Sequence, residues 1–378
     1  MAIKVAVPKE TRPGERRVAL VPGALKQFGK LGVELLLEKG AGADAGFDDA
    51  EYAEGGVEIV SRTELFRQAD VLLTVQPPTP KDVSQLRQNK VIVGFMAPHE
   101  GDERIQTLCQ RKATSFAMEL VPRITRAQSI DALSSQAAAA GYKAALIAAE
   151  RSPRFFPMLT TAAGTIRPAR VVIVGAGVAG LQAIATCRRL GAQVQAYDVR
   201  PETKEQVESL GAKFIDTGVE AVGEGGYARE LTAKERKQQE EALAEQVTKA
   251  HVVITTAAVP GRAAPRIIGK TTVERMQRGA VIVDMAAETG GNCAVTRSGK
   301  EITHKGVAVI GPENLPAGLP VHASEMYCKN LYNLLSLMIT DGALELDWDD
   351  QVIADTCLTH AGEVRHGPTR ERLEGGDS

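Results

Sequence analysis

A short apolar strand, Arg170-Val171-Val172-Ile173-Val174, runs directly into Gly175-Ala176-Gly177-Val178-Ala179-Gly180, and few features restrict a fold more tightly. A β-branched run that stops at glycine and gives way to a helical pattern over Val178–Leu190 predicts a strand–turn–helix unit. Each glycine has its own task in such a turn. The first permits the bend, the second lets phosphates approach the backbone, and the third lets the helix lie close on the strand. The next strand, Gln193–Tyr197, ends at Asp198, 18 residues beyond Gly180. A carboxylate there can accept hydrogen bonds from ribose hydroxyls while the helix N-terminus faces a pyrophosphate. Together these parts predict a dinucleotide site that includes Gly175, Gly177, Gly180 and Asp198. Asp198 favours NAD(H), because a carboxylate repels the 2′-phosphate of NADP(H). Arg200 leaves alternatives open: it could pair with such a phosphate, stack on adenine, or be a solvated charge.

Strands and helices alternate along the remainder of the chain. Strands are expected at Lys4–Pro8, Val33–Glu38, Val71–Val75, Val91–Met96 and Ala113–Met118, with helices at Pro22–Leu31, Arg62–Gln68 and Arg104–Lys112. Strands separated by single helices imply right-handed crossovers and a parallel sheet. This first region has no phosphate-binding glycine loop. An Ala-rich helix over Asp131–Arg151 then leads to strands at Arg170–Val174, Gln193–Tyr197, Lys213–Asp216, Val252–Thr256, Ala280–Asp284 and Val307–Ile310. Helices are expected there at Val178–Leu190, Glu202–Leu210 and Arg229–Lys249. A second long helix, Ser324–Ile339, precedes a short tail expected to return to the first domain. The expected class is α/β: two doubly wound, Rossmann-like parallel-sheet domains joined by two long helices. Residues 1–130 with 325–378 form the first, and residues 131–324 form the nucleotide-binding one.

Composition excludes other functions. With a net charge of −2 and 4% aromatic residues, the chain has neither the basic surface nor the stacking platforms that nucleic acid requires. No apolar run reaches the roughly 20 residues of a bilayer span, and the N-terminus has no signal-peptide pattern. The five cysteines are scattered, without a C-x-x-C pair, and read as buried free thiols in a reducing, cytoplasmic setting. The six histidines are dispersed, so no metal site is expected.

Three further segments are candidates for function. Ala257 follows the strand Val252–Thr256 in a turn of small residues that allows close approach of ribose and nicotinamide, or is a tight turn and nothing more. Thr217–Tyr227, rich in glycine, is either a surface loop or a mobile lid whose tip, Gly226-Tyr227, closes over a ligand. Pro122–Ser134 is polar for the start of an apolar helix. Thr125, Ser129 and Asp131 can serve there as caps, while Arg123, Gln128, Asp131 and Ser134 can equally serve as ligands for the nicotinamide end.

The chain resembles the NAD(H)-binding component of proton-translocating NAD(P) transhydrogenases, within the alanine dehydrogenase/transhydrogenase family. Pro8-Lys9-Glu10, Arg17-Val18-Ala19-Leu20, Pro122–Gln136, Ala162-Ala163-Gly164-Thr165, Val174–Gln182, Lys204-Glu205-Gln206-Val207, Gly225-Gly226-Tyr227-Ala228 and Asp284–Cys293 carry the likeness. The resemblance implies that Arg123, Thr125, Arg126, Gln128, Asp131 and Ser134 contact the nicotinamide and its ribose, with Gln128, Arg123 and Asp131 orienting it for transfer. It implies nucleotide contacts at Val178, Asp198, Val199 and Arg200, and a mobile loop tip at Gly226-Tyr227. It also implies a homodimer, peripheral to the cytoplasmic membrane, that passes hydride directly from NADH to NADP⁺ on a partner component. A membrane-spanning partner couples this to proton movement. Catalysis of that kind is positioning, with the donor and acceptor carbons about 3–3.5 Å apart. Alanine dehydrogenases, similar in fold, use an arginine, a lysine and a histidine. Arg17 matches the arginine, but Gln76 stands at the lysine's position and Phe95-Met96-Ala97-Pro98 contains no histidine, His99 lying just beyond. The alternatives are therefore an amino-acid dehydrogenase or a non-catalytic NAD-responsive regulatory module.

Overall fold

The computed structural model describes residues 2–219, 229–258 and 261–375. The expected lid tip, Gly226-Tyr227, lies outside the described residues. Two compact units partition the chain: residues 1–136 with 317–378, and residues 137–316.

The chain begins with six strands: β1 (Lys4–Val7), β2 (Glu34–Glu38), β3 (Glu58–Val60), β4 (Val71–Leu73), β5 (Val91–Gly94) and β6 (Thr114–Ala117). Their mutual pairings are all parallel, in the order β3-β2-β1-β4-β5-β6. Both faces of this sheet are covered, so its strands are apolar throughout: Val5 and Val7 enter one core layer and Ala6 the other. A hairpin follows, β7 (Leu159–Thr161) and β8 (Gly164–Ile166), with all six residues exposed.

The second unit contains β9 (Arg170–Val174), β10 (Gln193–Tyr197), β11 (Lys213–Phe214), β12 (Val252–Thr255), β13 (Val281–Asp284), β14 (Lys300–His304) and β15 (Val307–Gly311). Their order is β11-β10-β9-β12-β13-β15-β14. Omitting the edge strand β14, this sheet has the Rossmann order 3-2-1-4-5-6, and the six strands β1–β6 of the first sheet have the same order. Along β9, Val171 and Ile173 pack with Ile184 and Cys187 of the helix Val178–Arg189. Val172 and Val174 pack on the other face with Leu243 and Val247 of the helix Ala233–Lys249.

Two strands run against the expected parallel direction. β14 pairs antiparallel with β15, and its sequence, KEITH, is too polar for a strand covered on both faces; its charges suit an open edge. After a small hairpin of β16 (Ile339–Thr340) and β17 (Ala343–Leu344), the tail adds β18 (Cys357–His360) and β19 (Glu363–Val364) to the first sheet. Both β18 pairings, with β6 and β19, are antiparallel. The expected helix Pro22–Leu31 is instead a 3₁₀ turn, Pro22–Ala24, followed by the short helix Leu25–Gly29. Gly23 and Gly29 lower its helical propensity. The last long helix spans Pro320–Leu335, and Pro320 supplies a start signal that the apolar stripe alone did not.

At the end of β13, Asp284 is fully buried and accepts from Thr255 Oγ1 (2.9 Å), Ala286 N (3.1 Å), Cys293 N (3.0 Å) and Thr296 Oγ1 (2.6 Å). It ties the end of β12 to the loop after β13. Asp284→Ala strands these buried donors, and we expect it to lower unfolding free energy by on the order of 3 kcal/mol. The check is the denaturant midpoint of wild type and variant; equal midpoints would contradict the role assigned to Asp284.

Candidate nucleotide site

The sheet of the second unit changes winding direction between β9 and β12, where α/β sheets leave a crevice beyond the strand ends. The glycine turn sits at that point. Gly175 has φ of 99°, in the left-handed region, and a Cβ there would lie 2.5 Å from Thr256 Oγ1. A Cβ on Gly180 would lie 1.9 Å from the Gly175 carbonyl oxygen, so only glycine allows the helix to approach. Gly177 differs. Among the described residues, a Cβ there would meet only Arg200 Nη2, at 3.9 Å. The middle glycine thus faces open space, and Gly177 caps the helix without a side-chain acceptor. Val178, the first helical residue, is apolar yet 43% exposed. These residues fit a dinucleotide pyrophosphate: a bare backbone face and first-turn N–H groups.

Asp198, at the end of β10, has a buried carboxylate with four donors. Oδ2 accepts from Ala176 N (2.7 Å) and Arg200 Nη2 (2.8 Å), and Oδ1 accepts from Arg200 N and Arg200 Nε (both 2.9 Å). Thr256 Oγ1 donates to Gly175 O (3.0 Å), pinning the turn to the end of β12. Next to it, Ala257 N donates to Asn292 Oδ1 (3.1 Å), and Asn292 Nδ2 donates to Ala257 O (2.7 Å) and Pro265 O (2.8 Å). The second unit therefore brings together Gly175, Gly177, Val178, Gly180, Asp198, Val199, Arg200 and Ala257. Thr256 and Asn292 were missed by sequence reasoning. No spacing links 292 to 257; the only signal was a polar residue following two glycines after β13.

In the first unit, the polar segment forms a 3₁₀ turn, Thr125–Ala127, ahead of the helix Ala132–Arg151. Asp131 caps that helix, accepting from Ser134 N (2.9 Å) and Ser134 Oγ (2.6 Å). Arg126 forks onto Asp350, with Nη1 2.9 Å from Oδ2. Arg123, Thr125 and Gln128 are exposed, and the side chains of Thr125 and Gln128 make no hydrogen bond with the described residues. Asn330 Nδ2 and Asn333 Nδ2 both donate to Ser129 O at 2.9 Å, holding the segment from the helix Pro320–Leu335. These two asparagines also escaped sequence reasoning.

Arg17 is buried and internally paired. Its Nε and Nη2 reach Glu15 Oε1 (2.9 Å) and Oε2 (2.7 Å), and Nη1 reaches Gln136 Oε1 (2.7 Å). Gln76 Nε2 donates to Glu15 Oε2 (2.6 Å). Burial pushes the Glu15 carboxyl up, but hydrogen bonding and charge from Arg17 outweigh it and hold it at about 2. Glu10 accepts from Val75 N (2.6 Å) and Gln76 N (3.3 Å), yet burial raises it to about 8. A cavity of ≈ 310 Å³ beside it is lined by Lys9, Arg12, Arg62 and Asp82 among others. Its arginines are engaged, Arg62 with Glu38 and Asp82, and Arg12 with Gln76. Met96 N and Ala97 N donate to Glu119 (2.9 and 2.8 Å), while His99 is exposed. Among the described residues, no cluster of His, Cys, Asp and Glu could hold a metal ion. The Cys187, Cys328 and Cys357 thiols are pushed by burial up to about 12, which makes them inert.

Residues 6–140 match the N-terminal domain, and residues 144–367 the C-terminal domain, of the family described as alanine dehydrogenase/PNT. The chain belongs to this family. It is 43% identical, over 96% of its length and 98% of the relative's, to an NAD(P) transhydrogenase subunit alpha chain of Rhodospirillum rubrum. The transhydrogenase structure from Sinorhizobium meliloti superposes with a TM-score of 0.87 at 42% identity, covering 96% and 99% of the two chains. An L-alanine dehydrogenase superposes with a TM-score of 0.80 over the whole of both chains, at 22% identity, a likeness of fold alone. Fold therefore does not separate the two branches, and the side chains around Arg17 must.

Glu10 makes this region pH-sensitive. A carboxyl raised to about 8 when folded holds a proton that the unfolded chain releases near 4.5, so its contribution falls as pH rises between those values. We expect Glu10→Gln to be close to neutral at pH 5 and to stabilise the protein, relative to wild type, by on the order of 3 kcal/mol at pH 8. Urea unfolding at both pH values tests this. A difference that does not grow with pH would show that Glu10 is ionised in the fold.

Proposed function

We propose that this chain is the NAD(H)-binding subunit of a proton-translocating NAD(P) transhydrogenase, acting with an NADP(H)-binding component and a membrane-spanning component. The Arg17–Glu15 pair carries the reading. An amino-acid dehydrogenase needs a cation for its substrate's carboxylate and a group to move a proton. Here the guanidinium is already matched by a carboxylate of its own chain, residue 76 is an amide, and the 95–98 turn has no histidine. The nucleotide turn, in contrast, keeps its open face at Gly177.

When bound, the cofactor supplies the hydride that passes to NADP⁺ on the partner, with no proton to place and no covalent intermediate. The chain's own task is then binding and orientation. Gly175, Gly177, Val178 and Gly180 present backbone to the pyrophosphate. Asp198, Val199 and Arg200 surround the adenosine ribose, and Ala257 permits close approach. Arg123, Thr125, Arg126, Gln128, Asp131 and Ser134 serve the nicotinamide end. Gln128, Arg123 and Asp131 set the ring's attitude for transfer. No described helix is long and apolar enough to cross a membrane, and in this reading the proton path belongs to another component, with this subunit peripheral to the cytoplasmic membrane. The homodimer is supported by the hairpin region, where Phe155, Met158, Leu159 and Ile166 are all exposed.

Two measurements test the reading. NADH should bind the isolated chain more tightly than NADPH by at least about 1.5–3 kcal/mol, the scale of a charge-assisted hydrogen bond. Equal affinities in a fluorescence titration would remove the NAD(H) assignment. Gln128→Asn should leave NADH affinity within a few-fold but slow single-turnover hydride transfer to NADP⁺ on the reconstituted partner by about 10²-fold, the scale of a roughly 1 Å misplacement. An unchanged transfer rate would return Gln128 to the surface of a helix start, and reduction of NADP⁺ by neither protein would favour the regulatory alternative.

A further inference from the structure

The four donors on Asp198 divide evenly. Two are backbone N–H groups, Ala176 N and Arg200 N, fixed by the turn and the strand end. The other two, Nε and Nη2, belong to the Arg200 side chain, whose guanidinium forks across both carboxylate oxygens at 2.9 and 2.8 Å. A carboxylate has about four acceptor positions, so Asp198 has none left for a ligand. Arg200 Nη2 is also the nearest described atom to the open face of Gly177. The same side chain thus occupies the acid's two exchangeable positions and stands over the glycine that the phosphates must approach. The pair is largely shielded from solvent, with side-chain exposures of 18% for Arg200 and 7% for Asp198.

An adenosine ribose offers two hydroxyl donors side by side, the 2′- and 3′-OH. That count equals the number of Asp198 positions held by the Arg200 side chain. We propose that Arg200 is an internal stand-in for the ribose diol, so that nucleotide binding is an exchange in which the two hydroxyls displace the guanidinium from Asp198. The proposal rests on the nucleotide reading above and extends it to specificity. An acid kept saturated by its own chain yields only to a ligand that returns both hydrogen bonds. A nucleoside lacking the 2′-hydroxyl replaces one donor of the two and leaves the other acceptor unmatched, which is costly at a buried carboxylate.

Adenosine is the discriminating probe because it carries the diol and no charge. Its affinity is measured by competition against NADH, read from dihydronicotinamide fluorescence, on wild type, Arg200→Met and Arg200→Lys. Exchange predicts that Arg200→Met binds adenosine about ten-fold more tightly than wild type, the worth of one charged hydrogen bond no longer broken. Arg200→Lys should fall between them, since an ammonium cannot fork across both oxygens. The gain should be smaller for 2′-deoxyadenosine, and smaller for NADH, whose pyrophosphate loses a nearby cation. If Arg200→Met is unstable, Arg200→Lys alone suffices: adenosine should bind it more tightly than wild type, because the pair to be broken no longer forks. Unchanged or weaker adenosine binding to a folded Arg200→Met, with NADH still bound, would overturn the exchange and leave the nucleotide reading intact. So would unchanged or weaker adenosine binding to Arg200→Lys where Arg200→Met does not fold. If wild type binds neither NADH nor adenosine, the nucleotide reading fails and the exchange with it.

Discussion

Much of the second unit depends on one close approach. The helix that follows β9 lies so near the preceding turn that a Cβ on Gly180 would overlap the Gly175 carbonyl. The constraint continues on the helix's other side, where a Cβ on Gly141 would stand 2.1 Å from Ala179 O. The helix start is therefore confined by two backbones with no side chain between them. This confinement leaves Gly177 facing open space and puts the Ala176 N–H within reach of Asp198. Thr256 and Asn292 then hold the β12 side of the same crevice. Small residues do not weaken this region; they permit backbone-to-backbone packing that larger ones would forbid.

The first unit has the same strand order and reaches a different electrostatic outcome. Where its sheet reverses, between β1 and β4, acidic side chains of the same chain take the donors at and near the strand ends. Glu38 accepts from Lys9 N (2.8 Å), Glu10 from Val75 N, and Glu15 from Arg17. Two of these acids differ in their chemistry. Burial raises Glu10 to about 8, and Arg17 holds Glu15 at about 2. The region is polar and yet satisfied from within.

The parts of this molecule that were legible in the sequence are those written as local patterns. The strand at Arg170–Val174, the three glycines and Asp198 stand at fixed spacings because one turn and one crossover join them, and the buried strands of both sheets read as apolar runs. What escaped reading was set by distant partners. Arg126 finds Asp350, Asn330 and Asn333 find Ser129, and Asn292 brackets Ala257. Side chains meeting across such separations leave no periodicity. Edge strands were obscure for a different reason: KEITH at β14 has the composition of a loop, and only its pairing with β15 makes it a strand. The polarity of Pro122–Ser134 was visible, but its division into a cap at Asp131–Ser134 and a Gln128 side chain with no hydrogen bond among the described residues is set by the fold and not by the local pattern.

The contrast between the two reversals also bears on stoichiometry. A repeated strand order would ordinarily suggest two equivalent ligand crevices in one chain. Pro8, Lys9 and Glu10 follow β1 where Gly175, Ala176 and Gly177 follow β9. The first of these turns has side chains in place of a bare backbone, and the chain's own carboxylates already fill its donors. The crevice of the second unit therefore has an open backbone face that the first lacks, and the duplicated architecture is left with one half whose polar end is closed upon itself.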